Sequence, residues 1–204
     1  MGRRVSQMVA CIAPTNNLDE AIIQQLMAGA GAHQPDSQRI VMLHGDVTEY
    51  SISQVMAHIM HFASISRQPI KLIVSSYGGS VHEMFGLIDL IRTLECPIHT
   101  VAFGKIMSAG TVITAAGEKG HRMIGSSTRV MLHSISGGAV GTLFEMENVM
   151  KETRAEQEIV KKILLRDTSV TKKQLDDIMK QGHDYYYTAQ EAIKLGIADK
   201  VIGE

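Results

Sequence analysis

Between residues 40 and 132, short apolar runs alternate with helical patterns, and that alternation leaves the chain few folds to choose from. Strands are expected at Ile40 to Leu43, Ile70 to Val74 and Ile98 to Phe103. A helical pattern follows each one, at Ile52 to Ile65, His82 to Leu94 and Thr111 to Ala116. Shorter strands are expected near His121 to Ile124 and at Arg129 to Leu132. Parallel strands need a crossover between them, so strand–helix–strand order implies a parallel sheet covered by helices. Upstream, a helix from about Asp19 to Met27 precedes a Gly, Pro, Ser and Asp-rich loop from Gly29 to Ser37. A chain of 204 residues can bury one large core, and a single domain is the expectation.

The ends of these strands carry the chemistry. Gly104-Lys105-Ile106-Met107-Ser108-Ala109-Gly110 places one serine among small residues between an apolar strand and a helix. A hydroxyl there stands at the sheet's exposed end and near the positive end of a helix, which suits a nucleophile whose reaction develops an oxyanion. By itself such a turn is more often tight packing. Ser75-Ser76-Tyr77-Gly78-Gly79-Ser80 is expected to be a strand-to-helix loop. Its paired glycines let a ligand approach bare N–H groups, as an oxyanion hole and as backbone that pairs with an extended peptide; the plain alternative is a flexible connection. His133 ends the run Arg129 to Leu132, and Asp184 lies in a polar turn before a helix opening at Thr188. A serine, a histidine and an aspartate at three element ends are the parts of a Ser-His-Asp triad, whose chain order is free.

Four segments and a closing pattern resemble the Clp protease family, the ClpP-type serine-peptidase subunits of an ATP-dependent protease. Arg39 to Val47 resembles the family's first core strand and turn, and Ser76-Tyr77-Gly78-Gly79-Ser80-Val81 its Ser-Pro-Gly-Gly-Ser-Val loop. Gly104 to Gly110, with Ala115 to Gly120 behind it, resembles the nucleophile helix. Met131-Leu132-His133, with Gly137, Gly138 and Gly141, resembles the histidine segment. Asp184, Thr188 to Ala192 and Leu195 to Asp199 close the pattern. The match runs in order from about residue 39 to the C-terminus, and its motifs are specific together rather than singly.

The resemblance implies an α/β crotonase-like fold in which repeated β-β-α units form a superhelical head with a projecting handle helix at about 142–165. It makes Ser108 the nucleophile, His133 the general base and Asp184 its orienting carboxylate. It makes the N–H groups of Gly79 and Ala109 the oxyanion donors, and Gly78, Gly79 and Ser80 the substrate-binding loop. It implies a cytoplasmic serine endopeptidase without a cofactor, working on unfolded polypeptide inside a heptameric ring, stacked as a tetradecamer, and fed by an AAA+ Clp unfoldase. Residues 1–38 match the family poorly, where axial, apical loops are expected. Three positions depart from the pattern. Tyr77 replaces a proline and frees a backbone dihedral in the oxyanion loop. Ala109 replaces a methionine, which leaves the backbone N–H in place. His183 replaces an arginine that couples the two rings, so ring stacking is expected to be weaker and favoured by protonation.

After Gly141 the pattern changes. Leu143, Met146, Met150, Val160 and Leu164 form one helical stripe, flanked by Glu145, Glu147, Lys151, Glu152, Arg154, Glu156 and Glu158. A long, half-polar helix either lies on a surface or packs against a partner. Thr171 with Gln174, and Thr188 with Glu191, read as capping boxes. Composition excludes other classes. A formal net charge of -1 makes no case for nucleic acid, and no apolar run approaches the roughly 20 residues of a membrane span. Met8 to Ala13 is short for a signal core, and Cys11 and Cys96 are too few for a disulfide framework. Thirteen methionines against four phenylalanines and no tryptophan point to a pliable, aliphatic core.

Other features carry less. His58 and His61 stand three apart on a helix with no third ligand in view, so no metal site is read from them. Gly29 to Gln34 lacks the third glycine of a dinucleotide loop. No Gly-x-x-x-x-Gly-Lys-Ser/Thr run occurs, so ATP hydrolysis is left to a partner. Lys105 precedes Ser108, opposite to the Ser-x-x-Lys order. Tyr185 to Tyr187 are read as wall packing beside the aspartate rather than substrate contacts. Two rival functions remain: a catalytically silent Clp-like scaffold subunit, and an acyl-CoA enzyme of the crotonase superfamily with glycine-lined oxyanion loops. The latter does not need the serine, histidine and aspartate set.

Overall fold

A computed structural model of the chain describes residues 39–203. The expected helix at 19–27 and loop at 29–37 lie outside the described residues, as does the proposed axial region. The order of elements is β1 (Ile40–Val47), α1 (Glu49–Ile65), β2 (Ile70–Gly79), α2 (Val81–Thr93), β3 (Ile98–Met107), α3 (Ala109–Ala115), β4 (Met123–Gly125) and β5 (Arg129–Leu132). The chain continues through α4 (Leu143–Asp167), α5 (Lys172–Gln181), β6 (Tyr185–Tyr187), α6 (Ala189–Lys194) and β7 (Lys200–Ile202). No helix among the described residues is long and apolar enough to cross a membrane.

Strands β1, β2 and β3 run parallel side by side. At β3 the sheet forks. Val101 and Ala102 pair with β4, which pairs in turn with β7. Lys105, Ile106 and Met107, further along the same strand, pair with β5 instead. All of these pairs are parallel, and β6 alone runs antiparallel, against β5. One strand thus serves two neighbours because neither β4 nor β5 is long enough to follow its full length.

The helices form for legible reasons. Thr48 caps α1 through a box with Ser51, and Ile52, Val55 and Ile59 bury the stripe a helix makes at three- and four-residue steps. Arg39 closes the far end of α1. Its buried guanidinium donates to the carbonyls of Phe62, Ser66 and Gln68 at 2.8, 3.1 and 2.8 Å, covering acceptors that helix ends leave free. Seven residues of α3 are all buried, so this short helix is held by its surroundings rather than by its own length.

Two expectations need correction here. The run Ser75 to Gly79 is not a loop: β2 continues through it, with Asp46 opposite Gly78 and Val47 opposite Gly79. Likewise β3 runs on from Phe103 to Met107. Pairing with β1 carries β2 through Gly78 and Gly79 although both keep positive φ, and Gly104, also at positive φ, sits in β3 between the Ala102 and Lys105 pairs as an irregular step. The freed dihedral at Tyr77 is therefore absorbed by a strand, and the Tyr77 ring lies under Lys105 Nζ at 4.6 Å. The core is aliphatic as expected but not methionine-rich. The largest fully enclosed side chains are leucines and isoleucines, with Met84 the one methionine among them.

Helix α4 is two regions in one. Its second half buries Val160, Ile163 and Leu164 against the core. Its first half exposes Leu143, Phe144, Val149 and Met150. The expected apolar stripe is therefore used within this chain only at its C-terminal end.

Candidate active site

Ser108 stands at the turn from β3 into α3 with φ 51° and ψ −122°, the only non-glycine residue among those described with positive φ. A side chain held there costs on the order of 1–3 kcal/mol, which the surrounding bonds must support. Ser108 N–H donates to Met131 O on β5 at 3.0 Å, and Ser108 O accepts from Thr111 N–H at 3.0 Å. The fully buried Thr111 Oγ1 lies 3.0 Å from Ile106 O and 2.8 Å from Met131 O, bridging the two strands beneath the serine. The Ser108 side chain makes no capping bond to its own helix. Its oxygen is thereby left to other partners.

The partner is His133, one residue beyond β5. His133 Nε2 lies 2.8 Å from Ser108 Oγ. On the other side of the ring, Nδ1 lies 3.3 Å from Asp184 Oδ1, just before β6. With its proton on Nδ1, the imidazole offers Nε2 as an acceptor to the serine. The parallel pairing of β3 with β5 and the antiparallel pairing of β5 with β6 put these three element ends together. The side chains of His133 and Asp184 are 21% and 47% exposed, so the row opens to solvent at the aspartate end.

The end of β2 closes the other side. A Cβ on Gly78 would stand 2.6 Å from Ser108 Cβ and 2.8 Å from Met107 O, and φ at this residue is +100°. Glycine is required at Gly78 both by conformation and by the close approach of Ser108. Buried Ser76 Oγ accepts from Gly78 N–H at 3.0 Å and fixes this bend. Ser80 is the N-cap of α2, its hydroxyl accepting from Glu83 N–H. The expected Gly78-Gly79-Ser80 loop is therefore a strand end and a helix cap.

Gly79, Ala109, Ser108 and His133 meet on one pocket of about 60 Å³. Val81, Met84, Val112, Val160, Leu164 and Met179 make its apolar wall. All the expected site residues except Gly78 and Ser80 thus face or adjoin this pocket, with Asp184 behind the histidine. Thr111 and Ser76 were not anticipated. Ser76, two residues before the bend, has a local signature in the hydroxyl-to-amide spacing; Thr111 has none, because its role depends on a strand twenty residues away. Tyr185 and Tyr187 pack against the core, in keeping with wall packing, but Tyr186 faces solvent and donates to Asp184 Oδ2 at 3.2 Å. His183 is exposed beside Asp184. Lys105 is engaged with the Tyr77 ring.

Among known families, the profile described as Clp protease matches residues 32–204 of this chain.

Proposed function

As the chain belongs to the Clp protease family, we propose that it is the proteolytic subunit of an ATP-dependent Clp protease, a serine endopeptidase acting on unfolded polypeptide inside a chamber of identical subunits. The observation that carries this reading is the 2.8 Å contact of His133 Nε2 with Ser108 Oγ, with Asp184 on the opposite ring nitrogen. Nucleophile, base and orienting carboxylate stand in the order that acyl transfer requires.

In this mechanism a substrate carbonyl lies over Ser108. Ser108 Oγ attacks the carbonyl carbon while His133 Nε2 takes its proton. The tetrahedral oxyanion is met by the N–H groups of Gly79 and Ala109, which border the same pocket. His133, now an imidazolium facing the Asp184 carboxylate, returns the proton to the leaving amine. Water, activated by the same imidazole, then releases the acyl group. The strained Ser108 backbone aims the hydroxyl and the Ala109 amide together, so one turn supplies both nucleophile and donor.

Binding follows from the strand end. Beyond the Ser76–Ile106 pair, β2 and β3 form no further pair, while β1 stays paired as far as Gly79. An extended peptide added beside Gly78 and Gly79 is read through its backbone, which suits many sequences. The apolar wall of the pocket accepts an apolar side chain next to the scissile bond. The exposed first half of α4 is the handle, covered by other subunits of a heptameric ring or of a stacked tetradecamer. Unfolding and threading fall to an AAA+ Clp unfoldase, since the chain carries no phosphate-binding loop.

A fluorophosphonate probe tests the reading. Covalent labelling at Ser108, mapped by peptide mass, is expected. A silent scaffold or an acyl-CoA enzyme would leave Ser108 unlabelled. The purified protein alone is expected to cleave short peptides and to spare stably folded proteins; rapid digestion of a folded protein without an ATPase would remove the gated chamber.

A further inference from the structure

We infer that Tyr186 is a positioning residue for the reaction at Ser108, acting through the carboxylate of Asp184. The inference rests on the triad reading above and concerns what keeps its third member in place. The two oxygens of Asp184 are divided between two neighbours: Oδ1 lies 3.3 Å from His133 Nδ1, and Oδ2 accepts from Tyr186 Oη at 3.2 Å.

The carboxylate needs such a tether because it is 47% exposed. A half-exposed aspartate turns freely about its side-chain bonds and trades partners with water. Each rotation that takes Oδ1 from His133 releases the imidazole from the tautomer and orientation that Ser108 requires. A bond to the second oxygen fixes the rotation without competing for the first. A neutral phenol is suited to this task. A lysine or arginine there would hold the carboxylate too, but would also neutralise the charge that the imidazolium needs when it forms. The phenol stays neutral over the working range: the hydrogen bond to Asp184, then the carboxylate charge, then burial push its ionisation above the ordinary value of 10.0.

Strand β6 makes the tether rigid. Side chains alternate across a strand, so Tyr186 projects to the side opposite Tyr185 and Tyr187, where its hydroxyl reaches Asp184 just before the strand. Tyr185 and Tyr187 pack on the core. Antiparallel pairing sets Tyr185 opposite Leu132 and Tyr186 opposite Met131, in the strand that leads directly to His133. The core-facing tyrosines thus anchor a short strand whose outer side carries the donor, with the carboxylate one residue before the strand.

Tyr186→Phe removes the hydroxyl and keeps the ring at an exposed position, so folding is preserved. With a fluorogenic peptide, kcat is expected to fall about 3- to 10-fold with KM unchanged, the size of one hydrogen bond lost from the transition state. In an Asp184→Ala background the same substitution is expected to leave the residual rate unchanged, because the phenol reaches the reaction only through that carboxylate. A packing role would lower the rate equally in both backgrounds. Wild-type kcat in Tyr186→Phe, or equal losses in the two backgrounds, would overturn the inference. Ser108→Ala is assayed beside them. Activity that survives it removes the triad and the tyrosine's role together, whereas an inactive Ser108→Ala with an unimpaired Tyr186→Phe removes the tyrosine's role alone.

Discussion

Beyond the fork at β3, each branch of the sheet holds an aspartate, and the two are treated in opposite ways. On the β4–β7 branch, Asp199 meets Arg122, which is only 3% exposed. Arg122 Nη2 donates to Oδ1 at 2.5 Å and Nε to Oδ2 at 2.9 Å, while Gly120 N–H and Arg122 N–H also reach Oδ2. The remaining guanidinium nitrogen donates to the carbonyls of Ala115 and Asp167 at 3.0 and 2.7 Å. On the β5–β6 branch, Asp184 is half exposed and faces His133 at 3.3 Å.

The difference follows from what each charge is for. A buried ion pair must satisfy every donor and acceptor, because desolvation has already cost several kcal/mol per ion. A carboxylate that is to stabilise an imidazolium appearing only during reaction must keep its charge unspent until then. The first site is saturated with bonds and structural. The second, on the proposed mechanism, is sparsely bonded and active.

Substitutions at the two branches should separate rate from stability. The largest expected effect is that of Ser108→Ala, on the order of 10⁶-fold in kcat, with the thermal midpoint unchanged; turnover of a fluorogenic peptide by this variant would remove the nucleophile assignment. Asp184→Asn is expected to lower kcat by about 10⁴-fold through the wrong histidine tautomer. Its thermal midpoint should match the parent, since the site is open and carries no buried charge pair. Arg122→Met reverses the pattern. It leaves Asp199 without its cation and should cost about 3–5 kcal/mol of stability, read by chemical denaturation, while kcat per folded active site stays near the parent value. A comparable rate loss in Arg122→Met would erase the distinction between the branches.

The smallest effect is one of pH. Burial pushes the Asp199 carboxyl up, but the Arg122 side-chain bond, the backbone bond and the guanidinium charge outweigh it and hold the group below its ordinary 3.8. A folded value below the unfolded one gives stability that is present above about 3.8 and is lost as pH falls through the lower folded value. The thermal midpoint of the parent should therefore fall further than that of Asp199→Asn between pH 5 and pH 2.5. Equal falls would mean that the pair contributes nothing to acid sensitivity.

Local signals were legible residue by residue. The β5 strand at Arg129 to Leu132 matches its expected bounds. Both capping boxes are present, Thr171 with Gln174 and Thr188 with Glu191, because a cap depends on four consecutive residues. The ends of β2 and β3 were not legible. Gly78, Gly79 and Gly104 look like punctuation in a linear chain and do keep positive φ, at 100°, 145° and 67°, yet β2 and β3 run on through them, a continuation that only the strands alongside provide. Asp199 likewise stood out only as part of a closing pattern, with nothing in its neighbours to point to Arg122, 77 residues earlier.

The amino-acid order alone was enough to settle the alternation of strands and helices, the family resemblance and a short set of polar residues at element ends, because each depends on local periodicity or on motifs read in sequence. The tertiary structure decided that β3 splits its length between β4 and β5. That division, set by strand pairing over long separations, brings Ser108 within 2.8 Å of His133 and turns Asp184 towards the far ring nitrogen. No local propensity encodes such a distance, since it depends on register between strands and on the core that holds them.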